Sequence, residues 1–177
     1  KIVFMGTPDF GIPSLNELYK QGYEVEAVYT QPDRVNKRGN KVQFSAVKQF
    51  ALEHDITIYQ PNSLKDEKEL DVLRALNPDL IIVIAYGKIL PQAVLDIPKY
   101  GVINVHASLL PKYRGAAPVQ RSIIDGEETT GVTIMQLDAG MDTGNIIAEK
   151  SVSITPHMTS EDLFDVLSNV GAKLLID

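Results

Sequence analysis

Short apolar runs alternate with amphipathic stretches along the chain, and this alternation constrains the fold more than any other feature. Strand-like runs cover residues 2–5, 23–30, 57–59, 80–85, 101–105, 131–137 and 145–152. Helical patterns at 12–19, 44–53, 65–76, 116–124 and from Ser160 onward separate them. Strands that alternate with helices of this length predict the α/β class, with a Rossmann-like, doubly wound, mostly parallel sheet of about seven strands.

The run at residues 80–85 is almost unbroken in its apolar character, which is typical of a strand covered on both faces. In sheets of this kind, ligands bind outside the carboxyl ends of the strands. We therefore look for functional residues where the apolar runs end.

The composition excludes several classes of chemistry. A chain of 177 residues suits one domain. It has no cysteine, which excludes disulfides, thiolate catalysis and cysteine-ligated metals and fits a reducing cytoplasm. The longest apolar run, residues 80–86, is too short to cross a bilayer, so we expect no membrane association. The net charge of −6 argues against a footprint for a polyanion over the whole molecule.

One segment departs from this acidic balance. Between Arg34 and Leu52 the chain has five positive residues and no acid, namely Arg34, Lys37, Arg38, Lys41 and Lys48. A basic loop of this kind can bind phosphate locally, in a manner that weakens with salt. From the residues alone, a solvated face is the more common explanation.

The strand-like run at 101–105 is followed by an unusual pair of polar side chains. Asn104 and His106 are two positions apart, so on a strand both point to the same face at its carboxyl end. This placement makes them candidates for catalysis. The other histidines, His54 and His157, lack such a setting, and we interpret them as structural.

The segment "QLDAGMDTG", residues 136–144, joins two predicted strands. Aspartate and glycine are common turn residues, so a plain turn explains the composition. If the segment lies beside His106, one of its aspartates can orient the imidazole. Asp142 is preferred over Asp138 because it lies deeper in the glycine-bounded turn.

An amide, an imidazole and a carboxylate suit acyl-type transfer. Asn104 and His106 can stabilise negative charge on a carbonyl oxygen, and either His106 or a water held by Asp142 can accept the proton of an attacking amine. Ser108 lacks the nucleophile elbow of serine hydrolases, so a protein nucleophile is not expected. One histidine with scattered acids does not make a metal site.

The first loop, "GTPDFG" at residues 6–11, resembles a dinucleotide-binding turn only weakly. The Gly-x-Gly-x-x-Gly spacing is absent, and no acid ends the second strand. Thr7 and Asp9 remain candidates for contacting a substrate at the mouth of the sheet.

Six motifs carry a family resemblance that covers the whole chain in order. They are "FMGTPDF" (4–10), "TQPDR" (30–34), "KRGNK" (37–41), "AYGKILP" (85–91), "INVHASLLPKYRGAAP" (103–118) and "LDAGMDTGNI" (137–146). They closely resemble the folate-dependent formyltransferases, and the opening motif and basic loop are most similar to the methionyl-tRNA formyltransferases.

The resemblance implies a formyltransferase fold and transfer of the formyl group of 10-formyltetrahydrofolate to the amine of initiator methionyl-tRNA, without a metal. The family's catalytic residues match Asn104, His106 and Asp142. Its folate-binding positions match Ser108, Leu109, Leu110, Pro111, Tyr86, Gly87, Ile89, Leu90, Leu137 and Asp138. The resemblance further implies tRNA contacts by Arg34, Arg38 and Lys41, and an acceptor-site loop at Thr7, Asp9 and Phe10. Asn40 departs from the pattern, because a lysine is common there.

Full-length relatives of this kind carry a further C-terminal, barrel-like domain that binds tRNA and is absent from residues 1–177. We therefore expect these residues to be the catalytic domain of a cytoplasmic, monomeric translation-initiation enzyme. On its own, this part is expected to bind folate and to formylate tRNA weakly.

Other functions remain open at this point. A formyltransferase acting on glycinamide ribonucleotide would share the chemistry, but it typically has a glycine-rich phosphate loop after the first strand. A sugar-amine formyltransferase would not need the basic loop. A formyltetrahydrofolate hydrolase, with water as acceptor, and a non-catalytic RNA- or ligand-binding module complete the alternatives.

Overall fold

The computed structural model describes residues 1–6, 9–35, 42–88, 90–106, 129–137 and 146–154, together with residues 159, 162 and 166. The strands in these ranges are β1 (Ile2–Gly6), β2 (Val25–Tyr29), β3 (Arg34–Val35), β4 (Val42–Gln43), β5 (Thr57–Tyr59), β6 (Leu80–Ile84), β7 (Val102–His106), β8 (Thr129–Gln136) and β9 (Ile146–Ser153). The helices are α1 (Ile12–Lys20), α2 (Ala46–Glu53), α3 (Glu67–Leu76) and α4 (Gln92–Leu95), and a 3₁₀ turn at Asp9–Gly11 precedes α1.

Seven of these strands form one sheet in the described part of the chain, in the order β5-β2-β1-β6-β7-β8-β9. The neighbouring strands from β5 to β7 are parallel, whereas β8 runs antiparallel to β7 and β9 antiparallel to β8. The predicted α/β class and mostly parallel sheet are therefore confirmed. The remaining two strands, β3 and β4, pair with each other in a short hairpin.

Two apolar layers cover the sheet. On one face, α1 and α2 bury Leu15, Leu18, Val47 and Phe50 against alternate strand residues such as Val105. On the other face, Leu70 and Leu73 of α3 and Val94 and Leu95 of α4 pack with Val102, Val83 and Tyr86. Residues 80–84 of β6 are buried or nearly so, as the unbroken apolar run predicted, because helices cover both sides of that strand.

Local signals in the sequence explain where the helices begin and end. Ser45 caps α2 by accepting a hydrogen bond from the backbone N–H of Lys48, and Asp66 caps α3 in the same way through Lys68. At the end of α3, Asn77 takes a left-handed conformation (φ 50°), which asparagine tolerates better than most residues.

The predicted helix at 116–124 lies outside the described residues. For the helix predicted from Ser160, the structure describes a reciprocal cap. The N–H of Thr159 donates to Asp162 Oδ2, and the N–H of Asp162 donates to Thr159 Oγ1, both at 3.1 Å. Asp162 and Val166 are helical, so the predicted helix is confirmed at these residues.

The strand order places the expected ligand site. From β1 the chain moves outward through β2 to β5 and then returns to the other side of β1 with β6 and β7. The order therefore reverses between β1 and β6, and a crevice is expected outside the carboxyl ends of these two strands. Gly6 ends β1 at this point, and a Cβ there would lie 2.7 Å from the carbonyl oxygen of Ile84 on β6.

Candidate active site

Two polar side chains interrupt the buried face of β7. Asn104 is 9% exposed and His106 is 7% exposed. They alternate with Ile103 and Val105, which pack on the α1–α2 side, so Asn104 and His106 share the opposite face with Val102. The strand extends one residue further than the predicted run, so that His106 is its last residue.

The neighbouring strands determine what surrounds this pair. Asn104 lies beside Val83 of β6 and opposite Met135 of β8. His106 lies opposite Thr133, whose side chain is fully buried. Since residues paired across a ladder point to the same face, Thr133 joins Asn104 and His106 in a buried polar group on an apolar surface.

An apolar cluster lies on the same face of the sheet. Tyr86 is one of its buried members, and Leu90 and Leu137 pack against it. The backbone N–H of Leu137 donates to the carbonyl oxygen of Val102 at 2.8 Å, which fixes Leu137 beside the first residue of β7. The structure thus brings three of the predicted folate-binding residues together on the face that carries Asn104 and His106.

The backbone around Tyr86 takes two left-handed conformations. Ala85 has φ 52° and Gly87 has φ 80°. An alanine in this region is strained, and such residues persist only where surrounding contacts hold them. One such contact is made by Gln31, whose Nε2 donates to the carbonyl oxygen of Tyr86 at 3.0 Å. Burial, with a smaller contribution from the negative charge of Glu69, raises the pKa of Tyr86 from 10.0 to about 12.

A salt bridge between Asp33 and Lys48 joins the two sides of the basic segment. Lys48 Nζ donates to Asp33 Oδ2 at 2.7 Å, and Gln60 Nε2 donates to Asp33 Oδ1 at 2.7 Å. The hydrogen bond from Lys48, followed by that from Gln60, lowers the pKa of the Asp33 carboxyl below its usual value. The charge of Lys48, which the sequence places in a stretch without acids, is thus already paired.

Of the remaining predicted site residues, some are described by the structure and the others lie outside the described residues. Phe10 is 5% exposed and packs in the core on the α1–α2 side, and Asp9 and Arg34 are described through their backbone alone. Gly87 follows Tyr86 directly. The other predicted residues, Thr7, Arg38, Lys41, Ile89, Ser108, Leu109, Leu110, Pro111, Asp138 and Asp142, lie outside the described residues.

Sequence reasoning missed two elements of this region. Thr133 was not singled out, because a threonine inside a strand-like run is ordinary. The Asp33–Lys48–Gln60 group was also missed, although Asp33 stands directly before the basic segment and offered a partial signal.

Other features in the described ranges give weaker evidence of a functional site. An open cleft of about 410 Å³ is lined by Arg74, Asn77, Ala93, Asp96 and Ile97. Asn77 precedes β6, so this cleft lies at the amino ends of the strands, away from His106. Across the described ranges, no three acidic or histidine side chains group in a way that could hold a metal ion. Among the helices the structure describes, none has the length and apolar character that crossing a membrane requires.

Comparisons with known structures agree with this architecture. Phosphoribosylglycinamide formyltransferase from Bacillus halodurans superposes with a TM-score of 0.81 at 24% identity, over 98% of this chain and 90% of that one. A formyltetrahydrofolate deformylase from Pseudomonas syringae pv. tomato gives a TM-score of 0.78 at 19% identity, over 99% of this chain and 58% of that one. At these identities the likeness shows a shared fold.

Curated sequences give a nearer likeness. A methionyl-tRNA formyltransferase of Clostridium perfringens (strain SM101 / Type A) is 56% identical over 177 residues, which are 99% of this chain and 57% of that protein. The protein of the same name from Hydrogenovibrio crunogenus is 53% identical over 176 residues, 99% of this chain and 56% of that protein. The chain thus spans less than two thirds of the length of these relatives.

The sequence pattern of the family described as formyl transferase matches residues 1–177 from end to end. This match includes the whole described sheet as well as Asn104 and His106 on β7. The chain therefore belongs to the formyl transferase family.

Proposed function

We propose that this chain is the catalytic part of an enzyme that transfers the formyl group of 10-formyltetrahydrofolate to the α-amine of initiator methionyl-tRNA. The observation that carries the chemistry is the buried amide–imidazole pair, Asn104 and His106, beside the apolar cluster of Tyr86, Leu90 and Leu137. The choice of acceptor follows the relatives named methionyl-tRNA formyltransferase, which are about half identical to this chain.

The apolar cluster fits the donor. A flat heterocycle with polar edges needs apolar walls and a few hydrogen-bonding groups at the rim. Tyr86, Leu90 and Leu137 supply such walls, and Ser108, Leu109, Leu110 and Pro111 are the proposed folate-binding residues that follow β7 directly. When bound, the donor supplies a reactive formyl carbon near the end of that strand.

The polar pair then acts on the charge that develops during transfer. As the amine attacks the formyl carbon, negative charge grows on the formyl oxygen. The amide of Asn104 and the imidazole of His106 donate hydrogen bonds to it, and because they are buried, little water competes for these bonds. His106, or a water held by Asp142, accepts the proton that leaves the amine. The bond between the formyl carbon and the donor nitrogen then breaks, that nitrogen takes up a proton, and the products are formylmethionyl-tRNA and tetrahydrofolate.

The position of Leu137, just before the 138–145 segment, limits how far Asp142 can lie from it. Leu137 lies beside Val102, four residues from His106, or roughly 13 Å along β7. Asp142 is five residues beyond Leu137, and a chain of that length reaches up to about 17 Å. The carboxylate can therefore meet the imidazole if the segment runs along the sheet face toward the carboxyl end of β7.

The test uses the purified full-length protein with 10-formyltetrahydrofolate and charged initiator tRNA. Glycinamide ribonucleotide, an amino sugar and water are tested as competing acceptors. We expect formylmethionyl-tRNA as the main product. His106→Ala and Asn104→Ala should each lower kcat ~100-fold or more while donor binding persists.

His54→Ala is the matched control, because this histidine is the C-terminal cap residue of α2 and contacts Tyr19 and Phe50, and Phe50 packs on the face of the sheet opposite to Asn104 and His106. Its kcat should equal that of the wild type. Formylation of glycinamide ribonucleotide or release of formate in place of tRNA formylation would reject the proposed acceptor. Full activity of His106→Ala would reject the proposed chemistry.

A further inference from the structure

Four polar residues form one connected network at the carboxyl ends of β2 and β5, in which Gln31 accepts through its backbone carbonyl and donates through its side chain. Gln60 Nε2 donates to the carbonyl oxygen of Gln31 at 3.1 Å and to Asp33 Oδ1 at 2.7 Å. Lys48 Nζ donates to Asp33 Oδ2 at 2.7 Å. We call this network of Gln31, Asp33, Lys48 and Gln60 the polar bracket.

One end of the polar bracket closes the basic segment. Asp33 precedes β3, and Lys48 lies in the first turn of α2, which follows β4. Their bond therefore joins the chain just before residues 34–43 to the chain just after them. The Lys48 side chain is 13% exposed and that of Asp33 is 27% exposed, and the Lys48 ammonium lies 3.9 Å from the centre of the Phe44 ring.

The other end of the polar bracket reaches Tyr86, in the apolar cluster proposed to hold the donor. In the sheet, β1 lies between β2 and β6, so Gln31 crosses the carboxyl end of β1 to bind the Tyr86 carbonyl oxygen. Tyr86 stands between the left-handed Ala85 and Gly87, and its ring is buried in the apolar cluster. Through Gln31, the network therefore connects the base of the basic segment with the backbone of Tyr86.

We propose that the polar bracket is a positioning device that holds the base of the 34–43 segment at the mouth of the donor pocket and so presents the acceptor end of a bound tRNA to Asn104 and His106. This inference rests on the proposed function. Lys48 acts in it through Asp33, as a positioning residue, and does not contact RNA phosphate. The positive charges left for the RNA are those of the segment itself.

The test compares Asp33→Asn, Lys48→Met and the double variant in the full-length protein. Each single variant should raise KM for charged initiator tRNA about three- to tenfold, with kcat and the KM for 10-formyltetrahydrofolate within about twofold of wild type. The double variant should be no worse than either single one, because both changes remove the same ion pair. Lys48→Arg, which keeps the charge and a donor, should restore most of the wild-type KM.

The sign of the Asp33→Asn effect separates this role from direct phosphate binding by Lys48. Removing a negative charge near a polyanion site lowers KM if long-range attraction alone matters. The polar bracket predicts the opposite, a higher KM. In addition, loss of a phosphate contact reduces the slope of log affinity against log salt by about 0.7 to 0.9, whereas Lys48→Met should leave the slope unchanged.

Lys20→Met and Glu24→Gln are the matched controls. They make the same charge changes at the end of α1 and just before β2, at the other end of the sheet, and both residues are exposed. Both should keep the wild-type KM. If Lys48→Met fails to fold in thermal unfolding, Gln60→Leu removes two bonds of the network and should show the same selective rise in KM.

Several results would overturn the positioning role. These are an unchanged KM in both single variants, a lowered KM in Asp33→Asn, or a reduced salt slope in Lys48→Met. If the wild type formylates no tRNA, the proposed function fails. In that case limited trypsin digestion tests the closure alone, since Lys48→Met should then be cut faster between residues 34 and 43, and an unchanged cutting rate would reject the polar bracket as well.

Discussion

Gln31 and Tyr86 are joined across the carboxyl end of β1, because Gln31 Nε2 donates to the Tyr86 carbonyl oxygen at 3.0 Å from two strands away. This bond connects the loop after β2 with the loop after β6 at the point where the sheet order reverses. It also holds a stretch of backbone in which Ala85 and Gly87, on either side of Tyr86, both take left-handed conformations. The backbone position of Tyr86, a proposed donor-binding residue, therefore depends on a side chain that is distant in sequence.

Gln31→Leu should remove the hydrogen bond that holds the Tyr86 backbone. We expect the free energy of unfolding to fall by about 1 kcal/mol, the usual worth of one such hydrogen bond, and KM for 10-formyltetrahydrofolate to rise several-fold. Chemical denaturation and donor titration measure the two effects. The control is Gln92→Leu, which removes a hydrogen bond to Asp96 on α4. A lower stability with an unchanged KM for the donor would show that the bond does not shape the pocket.

Gly6→Ala tests how closely β1 approaches β6 beside the crevice. A Cβ at this position would lie 2.7 Å from the Ile84 carbonyl oxygen and 2.9 Å from Phe4 Cε1. The backbone oxygen cannot turn away, so the strands must shift. We expect a loss of about 1 to 3 kcal/mol in unfolding free energy. The control is Gly22→Ala, at a glycine where a Cβ has open space and a φ of 81° supplies the only strain. An unfolding free energy of Gly6→Ala equal to that of the wild type would mean that the close approach carries no cost.

Much of this fold could be predicted because its determinants are local. The apolar run of β6 indicated a strand covered on both faces, and the two-residue spacing of Asn104 and His106 indicated a shared face. Both features are readable because a buried strand and its side-chain alternation depend on consecutive residues.

What the sequence did not reveal depends on contacts between distant segments. Inclusion of His106 in β7 results from its pairing with Thr133, which is 27 positions later in the chain. The pairing of Lys48 with Asp33 requires the β3–β4 hairpin to bring the chain back on itself. Neither relationship has a periodic signal, because each arises only once the strand order and register are set.

Thr133→Val tests the polar residue that sequence reasoning missed. The hydroxyl is buried opposite His106, and valine keeps its volume while removing its polarity. We expect kcat to fall about tenfold, equivalent to losing one neutral hydrogen bond of ~1.4 kcal/mol near the imidazole. Steady-state kinetics with charged tRNA gives the measurement.

The same substitution at Thr130 is the control for Thr133→Val. Thr130 is also buried in β8, but it shares a face of the strand with Val132 and Ile134, which pack on the α1–α2 side of the sheet, opposite to Thr133 and His106. Thr130→Val should change stability without changing kcat. If the two variants lose activity equally, the effect belongs to the strand as a whole, and Thr133 has no particular role beside His106.

Tyr86 should make the protein less stable in alkali. Burial raises the pKa of its hydroxyl to about 12, whereas in the unfolded chain the pKa is the ordinary 10.0. Between these values the unfolded chain releases a proton that the folded chain keeps, so the contribution is fully present below pH 10 and is lost as pH rises toward 12. Two pKa units correspond to about 2.7 kcal/mol.

Urea denaturation at a series of pH values should therefore show a shallower alkaline decline in Tyr86→Phe. Tyr29→Phe should act in the same direction, because burial also raises the pKa of Tyr29, and the double variant should be the least sensitive. A decline in Tyr86→Phe as steep as that of the wild type would mean that another group causes the alkaline loss and that the Tyr86 hydroxyl ionises as readily in the folded chain as in the unfolded one.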